Sequence, residues 1–279
     1  MKSIKLVYDK WNTSYRIRTN NGIYLFKILN FQSANELMHE LEIVKRLKDK
    51  IPIPYPILSK EKEVYVTSNG KKVIIYPFLN GRPVKRGESL SEDTLYELGK
   101  YFGTIHDTRH IVGINKHDKF EEVKSFFDKI SRKSRGYFIA KKTFDLFERE
   151  GFNPTKLPQG LIHADLNTEN MLFEKGDIVS LLDFEDAHIG AFIFDLGICI
   201  LDTCWRNREL SEKRIKAIVK GYESIRKLTK EEKKHLIDAA LFAGLCTLYY
   251  SARKNGIGSK LNFEHYVVKR FIKLLDRAN

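Results

Sequence analysis

One stretch limits what this chain can be more than any other. It runs Leu161-Ile162-His163-Ala164-Asp165-Leu166-Asn167-Thr168-Glu169-Asn170-Met171-Leu172-Phe173 and is followed by Leu181-Leu182-Asp183-Phe184-Glu185. The pattern is an apolar run, H-x-D-x-x-x-x-N, a second apolar run, a turn, and a third apolar run ending in Asp. Short apolar runs bounded by turn residues read as buried strands. The polar groups between them are then held at strand ends. Phosphoryl transfer needs a carboxylate to orient the attacking hydroxyl and oxygen ligands to hold magnesium against nucleotide phosphates. Asp165 and Asn170 fall in one loop and Asp183 ends a neighbouring strand, so the three can meet at one cleft. Singly, Asp and Asn are ordinary turn residues and His163 an ordinary core histidine. The combination is what points to kinase chemistry.

The rest of the chain divides on either side of Pro77-Phe78-Leu79-Asn80-Gly81. Before it, Ser14 to Thr19 and Ile23 to Ile28 alternate apolar and polar residues about an Asn20-Asn21-Gly22 turn, the pattern of a hairpin. Ser33 and Glu36 form a capping-box pattern, and Leu37, Leu41, Val44 and Leu47 recur at helical spacing, predicting a helix to about Lys48. Pro52, Pro54 and Pro56 end it. Val64 to Val66 and Val73 to Tyr76 are strand-like about Asn69-Gly70. Beyond the connector the periodicity is helical: Ser91 to Asp107, Phe120 to Ser131, Phe138 to Glu150, Ser211 to Arg226, Lys230 to Tyr250 and Asn262 to Arg277. Gly160 to Ile189 reads as a short apolar hairpin among them. The expected fold class is α+β, with a small antiparallel sheet in residues 1–79 and a mainly helical part in 80–279.

Composition narrows the surroundings. Cys199, Cys204 and Cys246 form no CxxC pair and sit in apolar runs, which argues against a disulfide framework or a zinc site and predicts a reduced, cytoplasmic setting. The first residues alternate apolar and polar, so no secretory leader is expected. Ala239 to Tyr250 is about half the roughly 20 residues that a membrane helix requires. The net charge is +13. Its excess lies mostly after Ile200 and is dispersed along helices, without the compact basic block and interleaved aromatics of a nucleic-acid surface. Neither nucleic acid nor membrane is an expected partner.

These residues resemble the catalytic loop and metal-binding Asp of the aminoglycoside phosphotransferase and choline kinase superfamily, relatives of the protein kinases. Within it the type II homoserine kinase family is most similar: its LPxGxIHADLxxxNxLF string, apolar-Asp strand and DLxI segment are echoed by Leu157 to Phe173, Leu181 to Asp183 and Asp195 to Ile198. Gly221-Tyr222, Leu228-Thr229 and Leu248-Tyr249 continue the likeness. The resemblance implies a bilobal protein-kinase-like fold and an ATP-dependent, magnesium-requiring kinase acting on a small-molecule hydroxyl, in threonine biosynthesis where that hydroxyl is homoserine's. It implies Asp165 as catalytic carboxylate, Asn170 and Asp183 as magnesium ligands, His163 as a loop brace and Asp195 as a buried support.

The family also needs a strand Lys for the nucleotide phosphates and a helix Glu to hold it. Lys27 interrupts the apolar run Tyr24 to Ile28 and fits the first. At about 100° per residue Glu40 falls on the apolar face of its helix and Glu42 does not, so Glu40 fits the second. The hairpin from Lys10 to Thr19 lacks glycine, leaving Asn12, Ser14 and local backbone N–H groups to face the phosphates. Adenine would bond backbone near Phe78 and Leu79. A polycationic aminoglycoside suits a chain of this charge poorly. Choline would want an aromatic cage from Trp205, Tyr249 and Tyr250, and a sugar is another acceptor class within the superfamily. For homoserine, Asp202 and Arg206, with Arg208, would supply an acid and a cation. A kinase-like scaffold that binds nucleotide without turnover is the alternative of another class.

Overall fold

In a computed structural model describing residues 2–9, 12–84, 90–108, 118–254 and 261–278, contacts divide the chain into two units. The first holds the described residues up to Val84 together with Asn170–Glu185; the second holds the rest. Residues 80–84 and 170–185 therefore group with the sheet, whereas the sequence places everything after residue 79 in the helical part.

The first unit is built on β1 (Ser3–Asp9), β2 (Thr13–Arg18), β3 (Ile23–Leu29), β4 (Val66–Ser68) and β5 (Lys71–Pro77). All pair antiparallel in the order β1-β2-β3-β5-β4. The β2–β3 turn closes through Thr19 N–H donating to the Gly22 carbonyl at 2.9 Å. Gly22 there has φ +145°, which a side chain would resist. Lys10, at the head of the glycine-free hairpin, lies outside the described residues. Between β3 and β4 runs α1 (Ala34–Leu47), started by the expected capping box: Glu36 N–H donates to Ser33 Oγ, and Ser33 N–H to the Glu36 carboxylate at 2.7 Å. Leu37 and Leu41 of α1 pack on Leu29 and Ile74 of the sheet. Those four buried side chains contribute about 2 kcal/mol each.

A hairpin of β7 (Met171–Glu174) and β8 (Asp177–Leu181) completes the unit. Arg82 and Phe173 exchange both backbone hydrogen bonds, at 3.0 and 2.9 Å, and Leu181 N–H donates to the Pro52 carbonyl at 2.7 Å. The connector after β5 thus lies against this hairpin.

The second unit contains α2 (Glu92–His106), α3 (Lys119–Lys129), α4 (Arg135–Glu150), α5 (Phe192–Thr203), α6 (Glu212–Glu223), α7 (Lys230–Lys234), α8 (Leu236–Lys254) and α9 (Tyr266–Ala278). Two short antiparallel pairs join them, β6 (Gln159–Ile162) with β9 (His188–Ala191) and β10 (Trp205–Arg206) with β11 (Glu209–Leu210). Helix α2 packs tightly on α6. A Cβ at Gly99 would stand 2.1 Å from the Ile218 carbonyl oxygen, and one at Gly221 1.9 Å from that of Tyr96, so only glycine permits this approach.

Three features differ from the sequence expectation. Gly160 to Ile189 is not one hairpin: β6 pairs with β9 while β7 and β8 pair with each other. Helix α5 shows no amphipathic period because it is buried nearly all round, which hides a helix from periodicity. The expected helix from Lys230 to Tyr250 breaks at His235, whose ring Nδ1 lies 2.7 Å from Asp238 Oδ2. All three cysteines are buried and unbridged. Among the described residues no helix is long and apolar enough to cross a membrane.

Candidate active site

In the second unit the chain leaves β6 at Ile162 and turns sharply. Ala164 has φ +67°, a left-handed conformation that costs an L-residue with a Cβ roughly 1–2 kcal/mol. Such strain persists only where the surroundings over-determine it. The determinant is Asp195 on α5, which is fully buried. Its Oδ2 accepts from His163 N–H and its Oδ1 from Ala164 N–H, each at 2.8 Å. His106 at the end of α2 adds a third contact, Nε2 to Oδ2 at 3.1 Å. Burial pushes the Asp195 carboxyl upward, but the bond to His106 and the backbone N–H donors around it hold its pKa below the ordinary value. It is therefore a fixed anion that clamps two successive N–H groups just before Asp165.

Asp165 is held from its other side. Asn167 Nδ2 donates to Asp165 Oδ1 at 3.0 Å, and Asn167 Oδ1 accepts from Glu169 N–H at 2.9 Å. Thr168 N–H donates to Asp202 Oδ2 at 2.8 Å, and Tyr266 Oη to Asp202 Oδ1 at 2.6 Å. Beside this loop lies a cavity of about 370 Å³ within the second unit, walled by Asp165, Asp186, Asp202, Tyr250, Tyr266 and Phe194 among others. Its size suits a small molecule with a few polar groups. Burial, with Cys246 and Asp186 nearby, pushes the Tyr250 phenol well above its usual pKa. Tyr250 stays neutral at the wall.

The two residues expected to hold an acceptor are parted here. Asp202 lines the cavity, yet its carboxylate is engaged by Thr168 and Tyr266, with the Arg270 guanidinium 3.9 Å away. Arg206 sits exposed on β10, opposite Glu209, and is not among the cavity walls. Asn207 and Arg208, both at positive φ, turn the chain back from there.

In the first unit the register sets Ser14 directly across from Lys27. Lys27 Nζ lies 3.7 Å from Asp183 Oδ1. Burial lowers the pKa of the Lys27 ammonium, but the carboxylates of Asp183, Glu40 and Glu185 outweigh it and hold the pKa above its ordinary value, so the charge is kept. Glu40 is buried and accepts from Gln32 Nε2 at 2.8 Å, while Glu42 is exposed and pairs with Arg46. Leu182 N–H donates to the Asn170 carbonyl at 2.9 Å, which sets Asn170 and Asp183 side by side at the open end of the β7–β8 hairpin. Of the connector pair, Phe78 spends its N–H on the Ile23 carbonyl and carries the Arg16 guanidinium over its ring at 4.8 Å; Leu79 is half-buried. Asn12 is occupied in accepting from Asn30 N–H.

Asp183 bears on the metal question. Its backbone is at φ +64°, and Oδ1 is buried without a hydrogen-bond donor although the side chain is 37% exposed. A buried carboxylate oxygen left unbonded beside a cation is costly unless a further positive ligand meets it. Among the described residues no three His, Cys, Asp or Glu side chains gather to hold a metal by themselves. The donor set is one carboxylate with a neighbouring amide. It fits a hard cation that takes its remaining ligands from phosphate and water.

His106 and Tyr222 join the Asp195 clamp only in the fold: nothing in the sequence marks the first, and the second stands there only in the Gly221-Tyr222 likeness. His106 follows Leu95, Leu98 and Phe102 on the buried stripe of α2, where a histidine reads as core.

The phosphotransferase enzyme family model matches residues 9–230. Homoserine kinase of Methylobacillus flagellatus is 26% identical over 230 residues, covering 79% of this chain and 70% of that protein. Homoserine kinase of Polaromonas naphthalenivorans is 24% identical, covering 80% and 72%. Among solved structures, a microcompartment-associated aminopropanol kinase superposes with a TM-score of 0.71 at 17% identity, over 99% of this chain and 90% of that one. With the match running from β1 into α7 and so taking in Lys27, the braced loop and Asp183, the chain belongs to the phosphotransferase enzyme family.

Proposed function

We propose that this small-molecule kinase moves the γ-phosphoryl group of ATP onto the hydroxyl of homoserine, as a cytoplasmic enzyme. The observation that carries the chemistry is Asp165, fixed by Asn167 on the wall of a cavity sized for a small acceptor. The choice of acceptor rests on homoserine kinases that align with about four fifths of the chain.

In this reading Asp165 orients the acceptor hydroxyl and takes its proton as the new P–O bond forms. Lys27, kept charged by its carboxylate neighbours, balances charge on the nucleotide phosphates, and Glu40 steadies it. Ser14, across the sheet from Lys27, and the backbone at Phe78 and Leu79 complete the nucleotide-binding set. Asp183 and Asn170 supply oxygens to a divalent cation, taken as Mg2+, which when bound neutralises charge on the phosphate oxygens. The clamp on Ala164 and His163 means that Asp165 need not be reorganised during the reaction.

A second reading has its own support. The cavity wall brings the carboxylates of Asp165, Asp186 and Asp202 together with two tyrosines, a lining suited to an ammonium group. An amino alcohol without a carboxylate meets that lining as well as homoserine does. Metal-dependent ADP release from ATP, measured with L-homoserine, 1-amino-2-propanol, ethanolamine, choline and kanamycin, separates the two. Release with homoserine above all others supports the first reading, and release with the carboxylate-free amines alone replaces it. ATP binding without turnover on any acceptor sinks both.

A further inference from the structure

Behind the loop, the second unit holds a chain of buried polar groups that the reaction does not touch. Asp195 meets His106 Nε2; His106 Nδ1 lies 2.9 Å from Tyr222 Oη; and Tyr222 Oη accepts from Arg226 Nη1 at 2.9 Å. Arg226 is in turn bound to the fully buried Glu232 at 2.9 and 3.3 Å. Phe192 stacks on the His106 ring at 4.8 Å and lies 4.2 Å under the Arg226 guanidinium, which fixes both in place.

The donors in this chain favour one arrangement of protons. An arginine only donates, so the Tyr222 oxygen must accept from Arg226. The phenol proton is then free to point at His106 Nδ1. Burial pushes the Tyr222 phenol well above its usual pKa, so that proton is retained. With Nδ1 accepting, the imidazole proton lies on Nε2 and is directed at Asp195. The opposite tautomer would set a lone pair against a buried carboxylate.

We propose that Tyr222, ordered by Arg226, is a positioning residue for phosphoryl transfer: it locks His106 in the Nε2–H tautomer and thereby holds Asp195 in register with the strained loop that carries Asp165. This rests on the kinase reading for its consequence in turnover, but not for the tautomer itself. Tyr222→Phe keeps the ring packing and removes only the hydroxyl. It should lower kcat about tenfold, with the KM values for ATP and acceptor changed by less than about twofold. His106→Gln offers an N–H toward Asp195 and has no tautomer to lock. In that background Tyr222→Phe should cost nothing further, a non-additivity that general loosening of the core would not produce.

Nitrogen and proton NMR of the imidazole, on the intact chain, reads the tautomer directly. A protonated Nε2 and bare Nδ1 in the wild type, with mixed or inverted signals in Tyr222→Phe, supports the proposal even if no acceptor has yet turned over. A proton on Nδ1 of wild-type His106 overturns it. So does wild-type kcat in Tyr222→Phe, or an equal loss from that change in both backgrounds.

Discussion

Two buried or half-buried aspartates follow opposite designs. Asp195 in the second unit has both oxygens occupied, by two backbone N–H groups and an imidazole, and none is left for a ligand. Asp183 in the first unit has a buried oxygen with no hydrogen-bond donor and an ammonium 3.7 Å away. The first carboxylate is used up by the fold and shapes a loop. The second keeps unspent valence at a strained backbone position, and that is what a ligand-binding oxygen requires. On the proposed reading the saturated carboxylate is the brace and the unbonded one the metal ligand.

Substitution tests the contrast most sharply where it removes charge and keeps shape. Asp183→Asn, and Asp165→Asn on the loop, should each lower kcat on the order of a thousandfold while thermal unfolding stays near wild type. Asp195→Asn should lose activity as well, but with about 3 kcal/mol of stability, because a fixed anion is withdrawn from buried donors. Urea unfolding of the three variants reads the difference. A stable Asp195→Asn, or an Asp183→Asn that unfolds early, would erase it.

Acid adds a second axis. The folded pKa of Asp195 lies below its unfolded value, so its contribution is complete above the ordinary Asp range near 4 and is lost as pH falls through the depressed folded pKa. Wild-type stability should fall more steeply than that of Asp195→Asn below about pH 4. Parallel profiles would mean that Asp195 is not held as an anion.

How much of this was legible beforehand depended on whether a residue's role is local. Asp165, Asn170 and Asp183 stand out because strand, turn and polar residue recur in one short stretch. Glu40 could be told from Glu42 because helical rotation alone decides which faces the core, and only Glu40 is buried. His106 was invisible: its partners Asp195 and Tyr222 lie 89 and 116 residues away, and an unpaired histidine on an apolar stripe looks like packing. Helix α5 was hidden for a related reason, since burial on all sides erases the period that would reveal it. The pairing of β6 with β9 is long-range as well, and no turn signal announces it.

Lys27 comes next in magnitude. Lys27→Met removes the cation facing Asp183 and should reduce kcat/KM about a hundredfold, mostly through the nucleotide, because one preorganised charge at a developing anion is worth that much. Lys27→Arg, longer and planar, should recover part of it. If Lys27→Met lowered stability without affecting ATP, the first-unit cluster would be another brace and the contrast with Asp195 would collapse.

The smallest effect is expected at Arg206, and it is informative because sequence proximity argues the other way. Arg206 follows Asp202 by one helical turn in numbering, which made the two look like one acid-and-cation grip on an amino acid. The chain bends out of α5 at Cys204 into β10, so Asp202 stays on the cavity wall while Arg206 points outside it, across from Glu209. Arg206→Ala should therefore leave the acceptor KM within about twofold, as surface substitutions away from a site usually do. Asp202→Asn, which weakens the hold on Thr168 and Tyr266, should disturb kcat more than KM. A tenfold rise in acceptor KM from Arg206→Ala alone would show that the β10–β11 turn moves over the acceptor. The cavity beside Asp165 would then be only part of the pocket that closes in turnover.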